Sequence, residues 1–308
     1  LGLAAPSGPD WAQRPVEGRI LGRHASRVRS LAFLPDGSKL VSGSNDDTVR
    51  VWTLDSMSAP LVIEDHKGTV WRIAVSPRGD SFASASSDGT VRLRTTQGTL
   101  VQSFDIQRGI VPDVAFSCDG ATVALETQQG TIQVWNVDNG TVVAGWRAHD
   151  GEHVNKIAFD PGNPERLITG GDDDRVRMWS VSGMSLAELQ RHDSDVETVS
   201  YDPTGHIVLS AGSDNMIRRR DLDSGEDMSL LFGHANWIGA MDVSPDSRFV
   251  ATGSGDDTLR IWEMESGAQL HALTAPGTGA IHAVAFSPDG ARIATGSNDG
   301  TVRIWHLP

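Results

Sequence analysis

The 308-residue chain is 38% hydrophobic and 21% charged, contains one cysteine and carries a formal net charge of −14. Such acidity argues against sequence-independent binding to nucleic acid or to anionic lipid, because both require a basic surface. No apolar run is long enough to cross a bilayer, and the single cysteine, Cys118, permits no intramolecular disulfide, so we expect a cytoplasmic protein without membrane or nucleic-acid partners.

The first 16 residues are the least patterned part of the chain. They contain no basic region, and their apolar stretch is too short for a signal peptide. We therefore expect residues 1–16 to be a linker or a disordered N-terminal segment. Because the chain begins with leucine rather than methionine, we also expect a fragment of a larger multidomain protein.

From residue 17 onward, one unit recurs seven times. In the first copy, the apolar run VRSLAF is followed by the turn LPDG, the run KLVSGS, the turn NDD and the run TVRVW. Each copy ends in an anchoring Trp or Arg, and successive anchors are 41 to 44 residues apart: Trp52, Arg94, Trp135, Trp179, Arg220, Trp262 and Trp305. Short β-branched runs separated by tight turns predict antiparallel strands, and a period of about 42 residues with four strands is typical of a β-propeller blade.

The two ends of the repeat array predict how the ring closes. The last copy stops after its third strand, TVRIWHLP, while GRILGRH precedes the first copy and matches the fourth-strand segment SLLFGH at residues 229–234. We expect residues 17–22 to pair beside residues 301–306 and to complete blade seven, which removes exposed sheet edges. The predicted fold is therefore all-β: a monomeric seven-bladed β-propeller over residues 17–308, with four antiparallel strands per blade.

This repeat resembles the WD-repeat β-propeller family over residues 17–308. The Trp-Asp dipeptide of that family is absent from every copy, and the resemblance is carried by the anchoring Trp and the pattern before it. The resemblance implies a non-catalytic interaction domain whose blades are each fastened by an Asp–His–Ser/Thr–Trp tetrad. Arginine outnumbers lysine by 23 to 3, and this bias together with the near-uniform copies favours a bacterial member.

Ser or Thr, His and Asp recur at fixed offsets from each anchor, which raises the question of a catalytic triad. A catalytic set occurs once, whereas this set is complete in five copies, so we interpret it as structural. A buried member left without its partner costs about 1–3 kcal/mol, so such groups are expected to be lost together. The tetrad residues are His24, Ser42, Asp46, Trp52, His66, Ser84, Asp88, His149, Thr169, Asp173, Trp179, His192, Ser210, Asp214, His234, Thr252, Asp256, Trp262, Thr295, Asp299 and Trp305.

Four copies depart from the tetrad pattern. Copies two and five have arginine in place of tryptophan, and copy seven has no histidine. Copy three replaces three members together, with Gln107, Leu125 and Gln129 in their places. We therefore predict that blades three and seven are the looser blades.

The candidate partner-binding residues surround the predicted mouth of the central channel. The apolar residue that opens each innermost strand, such as Val28, is expected to pack between blades, so its two neighbours face away from that packing. These neighbours and the residues before the second turn include Arg27, Arg29, Trp71, His153, Asn155, Asp172, Asp195, Glu197, Trp237 and His282. Trp and Arg are enriched at interface hot spots, although each tryptophan could instead lie flat on a neighbouring loop.

We therefore expect a non-catalytic platform or sensor domain in signalling that binds a protein or peptide around the channel mouth and needs no cofactor or metal. The partner is either a separate protein or another domain of the parent chain. Arginines of blade one and acidic residues of blades four and five would orient that partner. Two alternatives stay open: a metal-dependent propeller hydrolase that uses Asp172, Asp195 and Glu197, and a scaffold with no regulated ligand.

Overall fold

The computed structural model describes residues 16–54, 56, 58–106, 109–128, 130–274 and 277–307. Within these ranges the secondary structure consists of β-strands and turns, and no helix is long and apolar enough to cross a membrane. The predicted linker at residues 1–16 lies outside the described residues except for Val16, and Gln107 and Gln129 also lie outside them.

Seven four-stranded antiparallel sheets form the blades, which confirms the predicted propeller. Blade one comprises β2 (Val28–Phe33), β3 (Lys39–Ser44), β4 (Val49–Thr53) and β5 (Leu61–Ile63). Blade two comprises β6 (Val70–Val75), β7 (Ser81–Ser86), β8 (Thr90–Thr95) and β9 (Leu100–Asp105). Blade three comprises β10 (Val114–Phe116), β11 (Thr122–Gln128), β12 (Thr131–Asn136) and β13 (Val142–Arg147). Blades four and five comprise β14 (Val154–Asp160), β15 (Asn163–Gly171), β16 (Arg175–Ser180) and β17 (Ser185–Arg191), then β18 (Val196–Tyr201), β19 (Ile207–Gly212), β20 (Met216–Asp221) and β21 (Leu231–Phe232).

Blade six comprises β22 (Ile238–Val243), β23 (Phe249–Ser254), β24 (Thr258–Glu263) and β25 (Gln269–Thr274). Blade seven is built from both ends of the array: β26 (Ile281–Phe286), β27 (Arg292–Ser297), β28 (Thr301–His306) and β1 (Glu17–Arg23). β1 pairs antiparallel with β28 from Glu17 opposite His306 to Arg23 opposite Thr301. This pairing confirms the predicted closure of the ring.

The tight turn between the second and third strands has one residue with a positive φ at the same position in every blade. A positive φ is a conformation that favours glycine and, less strongly, Asp or Asn. Blades two, three and seven place glycine there, with φ between 76° and 83°, and the other four place Asp or Asn, with φ between 63° and 67°. This turn sets the residues just before it, including Asn45 and Asp172, at the same end of the propeller in each blade.

The core lies between adjacent blades. The seven apolar residues predicted to open the innermost strands are at most 1% exposed, and six of them do open those strands, whereas Val111 precedes β10: Val28, Val70, Val111, Val154, Val196, Ile238 and Ile281. Each faces the second strand of the preceding blade at a position held by Gly or Ala in six blades. A Cβ at Gly43 would lie 2.5 Å from Cγ1 of Val70, so the small residue permits this close approach. This packing turns the flanking side chains toward the channel mouth.

Candidate functional site

In blades one, four and six, the four tetrad side chains form one hydrogen-bonded chain. In blade one, Nδ1 of His24 lies 3.0 Å from Asp46, and Nε2 of His24 lies 2.8 Å from Oγ of Ser42. The indole N–H of Trp52 donates to the same hydroxyl at 2.8 Å. The equivalent distances in the other two blades are 2.6–3.0 Å, for His149, Asp173, Thr169 and Trp179 and for His234, Asp256, Thr252 and Trp262.

Blades two and five keep the His–Ser–Asp part of this chain. The His–Asp distance is 2.9 Å in both, and the His–Ser distances are 2.8 and 2.7 Å, for His66, Asp88 and Ser84 and for His192, Asp214 and Ser210. The arginines that replace tryptophan bond elsewhere: Arg94 pairs with Asp65, and Arg220 donates to Asp227 at 3.0 Å. Ser210 donates instead to Oε1 of Gln190 at 2.7 Å.

Sequence reasoning missed a fifth member of the set, an arginine four residues after each tetrad Asp. Arg177 and Arg218 donate to Asp173 and Asp214, each at 2.6 Å. In blades one, two and six the corresponding ion-pair distances are 3.7–3.9 Å. The signal was present in the sequence as a recurring Asp-x-x-x-Arg, which becomes Gln129-x-x-x-Gln133 in blade three.

Blade three has a different buried polar group, which sequence reasoning also missed. Leu125 replaces the hydroxyl and is fully buried, while Glu126 occupies the position that Gly or Ala holds in the other blades. Oε1 of Glu126 accepts from the backbone N–H groups of Gly130 and Val154, each at 3.3 Å, and lies 3.2 Å from Nδ1 of His153. Burial raises the pKa of Glu126 despite these bonds. Blade three is thus tied to blade four through a carboxyl group.

Blade seven retains two separate parts of the tetrad. The indole of Trp305 donates to Thr295 at 3.0 Å. Asp299 accepts from Thr301 at 2.7 Å and from Arg23 at 2.9 Å. Since Arg23 belongs to β1, this carboxylate joins the closing strand to the blade.

The tetrad geometry does not suit nucleophilic catalysis. The bridging hydroxyls of Ser42, Ser84, Thr169, Ser210 and Thr252 belong to residues that are 0% exposed, so no substrate reaches them. Burial lowers the pKa of His24 even though Asp46 opposes this shift. The pKa of Asp46 is itself lowered, because hydrogen bonds from His24 and Thr48 outweigh the effect of burial.

Seven of the ten predicted partner-binding residues line one open cavity of about 350 Å³ at the channel mouth: Arg27, Arg29, Trp71, Asn155, Glu197, Trp237 and His282. The other three, His153, Asp172 and Asp195, are absent from its lining. His153 contacts Glu126, and Asp172 accepts from the amide of Asn155 at 2.6 Å. We call the cavity the mouth cavity.

Arg27 and Arg29 are held by neutral amides rather than by carboxylates. Nε of Arg27 donates to Asn298 at 2.5 Å, and Nε of Arg29 donates to Asn45 at 2.7 Å. The guanidinium carbon of Arg29 lies 4.3 Å from the centre of the Trp71 ring, which is a cation–π contact. Burial and, secondly, the charge of Arg27 lower the pKa of Arg29 to about 10.

Trp237 lies against glycine on its own blade and against an imidazole of the next. Cβ atoms at Gly239 and Gly255 would lie 2.4 and 2.5 Å from its ring, so both positions require glycine. Its ring stands 5.2 Å from that of His282, tilted by 31°. Burial, followed by the charges of Arg27 and Arg29, lowers the pKa of His282 to about 4, so this imidazole is neutral at pH 7.

The opposite side of the mouth is acidic. Burial raises the pKa of Glu197, against the hydrogen bond that it accepts from Ser213 at 3.1 Å. Burial and the neighbouring charges of Asp172 and Asp174 raise the pKa of Asp195. Like-charged carboxylates therefore crowd together here, opposite Arg27 and Arg29 of blade one.

Below the mouth cavity, charged side chains cross the channel from blade to blade. Asp113 is 0% exposed; it pairs with Arg72, lies 3.3 Å from Nζ of Lys156 and accepts from the backbone N–H of Ile157 at 2.6 Å. Burial lowers the pKa of Lys156 to about 8 and raises that of Asp242 to about 6. Arg72, Lys156 and Asp242 line a second cavity of about 280 Å³, which shares Arg72, Gly239 and His282 with the mouth cavity.

The hydrolase alternative needs several carboxylates or histidines that converge on a metal. Among the residues described here, no group of three or more His, Cys, Asp or Glu is arranged to hold a metal ion. Asp172, Asp195 and Glu197 share one side of the mouth without forming such a group.

Comparisons with known proteins agree with this architecture. A family model of the first β-propeller of IFT122 matches residues 17–263, and a model of the WD domain, G-beta repeat, matches residues 267–306. Apoptotic protease-activating factor 1 of Danio rerio is 28% identical over 169 residues, which cover 55% of this chain and 13% of that protein. For the periodic tryptophan protein 2 homolog of Dictyostelium discoideum, identity is 24% over 183 residues, 57% of this chain and 19% of that protein.

Protein HIR1 of Kluyveromyces lactis is 22% identical over 181 residues, 57% of this chain and 17% of that protein. The chain spans less than a fifth of the length of each of these three relatives, all of which are eukaryotic. They therefore give no support to the prediction of a bacterial origin. The first family model covers well over half of the chain, and with the second it spans nearly the whole repeat array: the chain belongs to the WD-repeat β-propeller family.

Proposed function

We propose that this propeller is a recognition domain that binds a polypeptide segment of a partner protein at the mouth of its central channel, without catalysing a reaction. The observation that carries the proposal is the convergence of Trp71, Trp237, Arg27 and Arg29 on one open cavity of about 350 Å³. Both tryptophans are half-buried and have no part in a tetrad. Aromatic and arginine side chains in such a setting are typical interface hot spots, each worth about 2 kcal/mol or more.

The distribution of charge around the mouth supports an oriented partner. Arg27 and Arg29 of blade one carry positive charge, whereas Asp172, Asp195 and Glu197 of blades four and five carry negative charge. A partner with the opposite arrangement of charges would be steered into one orientation. Reversing Asp195 and Glu197 to lysine should therefore slow association, most strongly at low salt.

The test is affinity capture from a lysate with the parent protein and with a Trp71→Ala/Trp237→Ala variant, followed by mass spectrometry. We expect at least one protein to be captured by the parent and lost by the variant. The matched control is Leu186→Ala/Phe232→Ala, which removes two apolar side chains that are 43% and 76% exposed on the outer strands. This control should capture the same proteins as the parent.

Equal capture by all three proteins would contradict the assignment of the mouth as the binding face. A calcium titration followed by calorimetry tests the alternative class, since a hydrolase of this kind needs a metal that Asp172, Asp195 and Glu197 would hold. Stoichiometric calcium binding that is lost in Asp195→Asn/Glu197→Gln would favour that alternative.

The proposal also covers the source of the partner, the oligomeric state and the cellular role of the propeller. We propose that the partner is a separate protein or another domain of the same parent chain, that the propeller acts as a monomer, and that it works as a sensor in signalling in the cytoplasm. The bacterial origin stays a prediction that rests on the excess of arginine over lysine and on the near-uniform copies.

A further inference from the structure

The charges that line the mouth are not balanced locally. Among the described residues, neither Arg27 nor Arg29 has a carboxylate within ion-pair distance. The Nε group of each donates to the side-chain oxygen of an asparagine. The third arginine of the cavity, Arg72, shares the carboxylate of Asp113 with Lys156. Positive charge is therefore in excess on the blade-one side of the cavity.

The same two arginines are fixed before any ligand arrives. Each uses Nε in a short hydrogen bond, which leaves the two Nη groups of each guanidinium for a ligand. The Arg29 guanidinium also lies on the Trp71 ring at 4.3 Å. A guanidinium group can donate to both oxygens of a carboxylate, and an orientation that is set in advance reduces the entropic cost of binding.

We infer that Arg27 and Arg29 form the specificity subsite of the mouth and receive the carboxylate of an acidic side chain in a linear peptide segment. The inference rests on the proposed function, because it concerns the ligand of the same cavity. Glu197 in the mouth and Asp242 in the channel below it would repel a doubly charged phosphate more than a singly charged carboxylate. The neutral imidazole of His282 adds no competing charge beside the subsite.

Burial and the nearby charge of Arg27 make an anion favourable beside Arg29. They lower the pKa of Arg29 to about 10, which records that its charge is less stable here than in water. A bound carboxylate would offset that cost by its opposite charge. Because the ligand binds only the folded state, it should also raise the melting temperature of the protein.

The test is selection of a phage-displayed library of random linear 12-residue peptides on three proteins. These are the parent, Arg27→Gln/Arg29→Gln, and the charge-matched control Arg147→Gln/Arg191→Gln, whose arginines are exposed on the outer strands β13 and β17. We expect Asp or Glu to be enriched at one position of the peptides selected by the parent and by the control. The mouth variant should lose this enrichment.

A selected peptide is then synthesised with its acidic residue, with Gln and with phosphoserine at that position, and binding is measured by fluorescence polarisation. We expect the Gln peptide to bind the parent about tenfold more weakly, which matches a lost charged hydrogen-bonded contact. This arm uses the parent protein, so it remains decisive if the arginine variant does not fold. Tighter binding of the phosphoserine peptide would overturn the assignment to carboxylate.

These experiments distinguish a failure of the arginine subsite from a failure of the proposed function. Selected peptides that need Trp71 and Trp237 but show no acidic enrichment, or bind the Arg27→Gln/Arg29→Gln variant as well as the control, would overturn the subsite and leave the proposed function intact. Peptides that bind independently of Trp71 and Trp237, or the absence of any selected peptide, would overturn peptide recognition at the mouth and the subsite with it.

Discussion

The hydroxyl of Ser42 connects two larger buried side chains of blade one. It lies within hydrogen-bonding distance of the imidazole of His24 and of the indole of Trp52, both at 2.8 Å. In blade two, the equivalent Ser84 bonds to His66, while Arg94 at the tryptophan position bonds elsewhere. Ser84 also donates to the carbonyl oxygen of Arg92, but at 3.5 Å, so blade two has no counterpart of the short Trp52–Ser42 bond.

We predict that Ser42→Ala lowers the free energy of unfolding by more than Ser84→Ala does. Removing Ser42 leaves a buried imidazole nitrogen and a buried indole N–H unpaired, each worth about 1–3 kcal/mol. Removing Ser84 leaves the imidazole nitrogen of His66 unpaired and otherwise loses only the long 3.5 Å bond to the carbonyl of Arg92. Urea unfolding of both variants beside the parent measures the difference. Equal losses would mean that the Trp52–Ser42 bond contributes no net stability.

We predict that two substitutions of Glu126 affect the stability of the protein differently. Glu126→Gln keeps an oxygen acceptor for the N–H groups of Gly130 and Val154 and removes a buried ionisable group whose pKa is raised, so we expect stability at pH 7.5 at least equal to the parent's. Glu126→Ala fits sterically, as Ala85 does in blade two, but leaves those N–H groups unpaired and should cost about 1–3 kcal/mol.

Hydrogen exchange of the amides of Gly130 and Val154 measures this directly. Faster exchange in Glu126→Ala than in Glu126→Gln is the expected result. Indistinguishable exchange in the two variants would show that the side chain at position 126 does not protect these two amides.

At the scale of strands, the closing strand β1 depends on two glycines that lie against tryptophan rings. A Cβ at Gly22 would lie 2.2 Å from Cζ3 of Trp52, and one at Gly18 would lie 2.6 Å from the Trp305 ring. The Trp52 indole is held by its bond to Ser42, so it has little freedom to move away.

We therefore predict that Gly22→Ala destabilises the propeller by about 1–3 kcal/mol through overpacking. The matched control is Gly145→Ala on the outer strand β13, where the nearest atoms would be 3.5 Å from the new Cβ. Thermal unfolding should show a clear loss for the first variant and little change for the second. A loss of similar size in both would point to glycine flexibility rather than to the indole.

The strands could be predicted because each blade repeats the same turn chemistry and alternation. The closure of the ring could be predicted because one extra strand precedes the first copy and the last copy lacks its fourth strand. The outermost strands were harder to predict. β5 and β21 contain three and two residues, because an edge strand is held on one side and its sequence is less constrained. The innermost strand of blade three begins at Val114 rather than at Val111, where Pro112 lacks the N–H that a ladder requires.

For the whole molecule, pH should act mainly through the tetrads. The pKa values of Asp46, Asp88, Asp173, Asp214 and Asp256 are all lowered from 3.8, because hydrogen bonds to each carboxylate outweigh burial. A lowered carboxyl pKa means that the unfolded state binds protons first on acidification. The stability that these groups provide is therefore complete above pH 4 and is lost as the pH falls below it.

Between pH 6.5 and pH 4, two sets of groups oppose each other. A lowered histidine pKa favours the unfolded state on acidification, and this applies to His24, His66, His234 and His282. A raised carboxyl pKa favours the folded state, and this applies to Glu126, Glu197 and Asp242. We predict a shallow dependence of melting temperature on pH in this window and a steep fall below about pH 4. A steep fall that begins near pH 6 would mean that the histidines dominate.

The candidate site could be located from the sequence because sevenfold repetition assigns every flanking position to the same end of the molecule. Its charge relationships could not be predicted in this way. The contacts of Asp113 with Arg72 and Lys156 join three blades over 41 and 43 residues of sequence, and Arg219 is buried by bonds to Ser229 and to the carbonyl of Met264 in the next blade. Such contacts depend on side-chain reach across blades, which a repeat pattern does not encode.

The pairing of β1 with β28 also determines how the ring responds to tension. Glu17 lies opposite His306, so the chain enters β1 and leaves β28 at the same end of the sheet. A force that separates residue 16 from residue 307 therefore loads one ladder hydrogen bond at a time, beginning at that end, rather than the whole ladder together. When it is pulled by these two points, the propeller should therefore open at low force, as the hydrogen bonds between β1 and β28 break in sequence. A force directed parallel to the strands would load all of these hydrogen bonds at once, and the propeller should resist it to a far higher value.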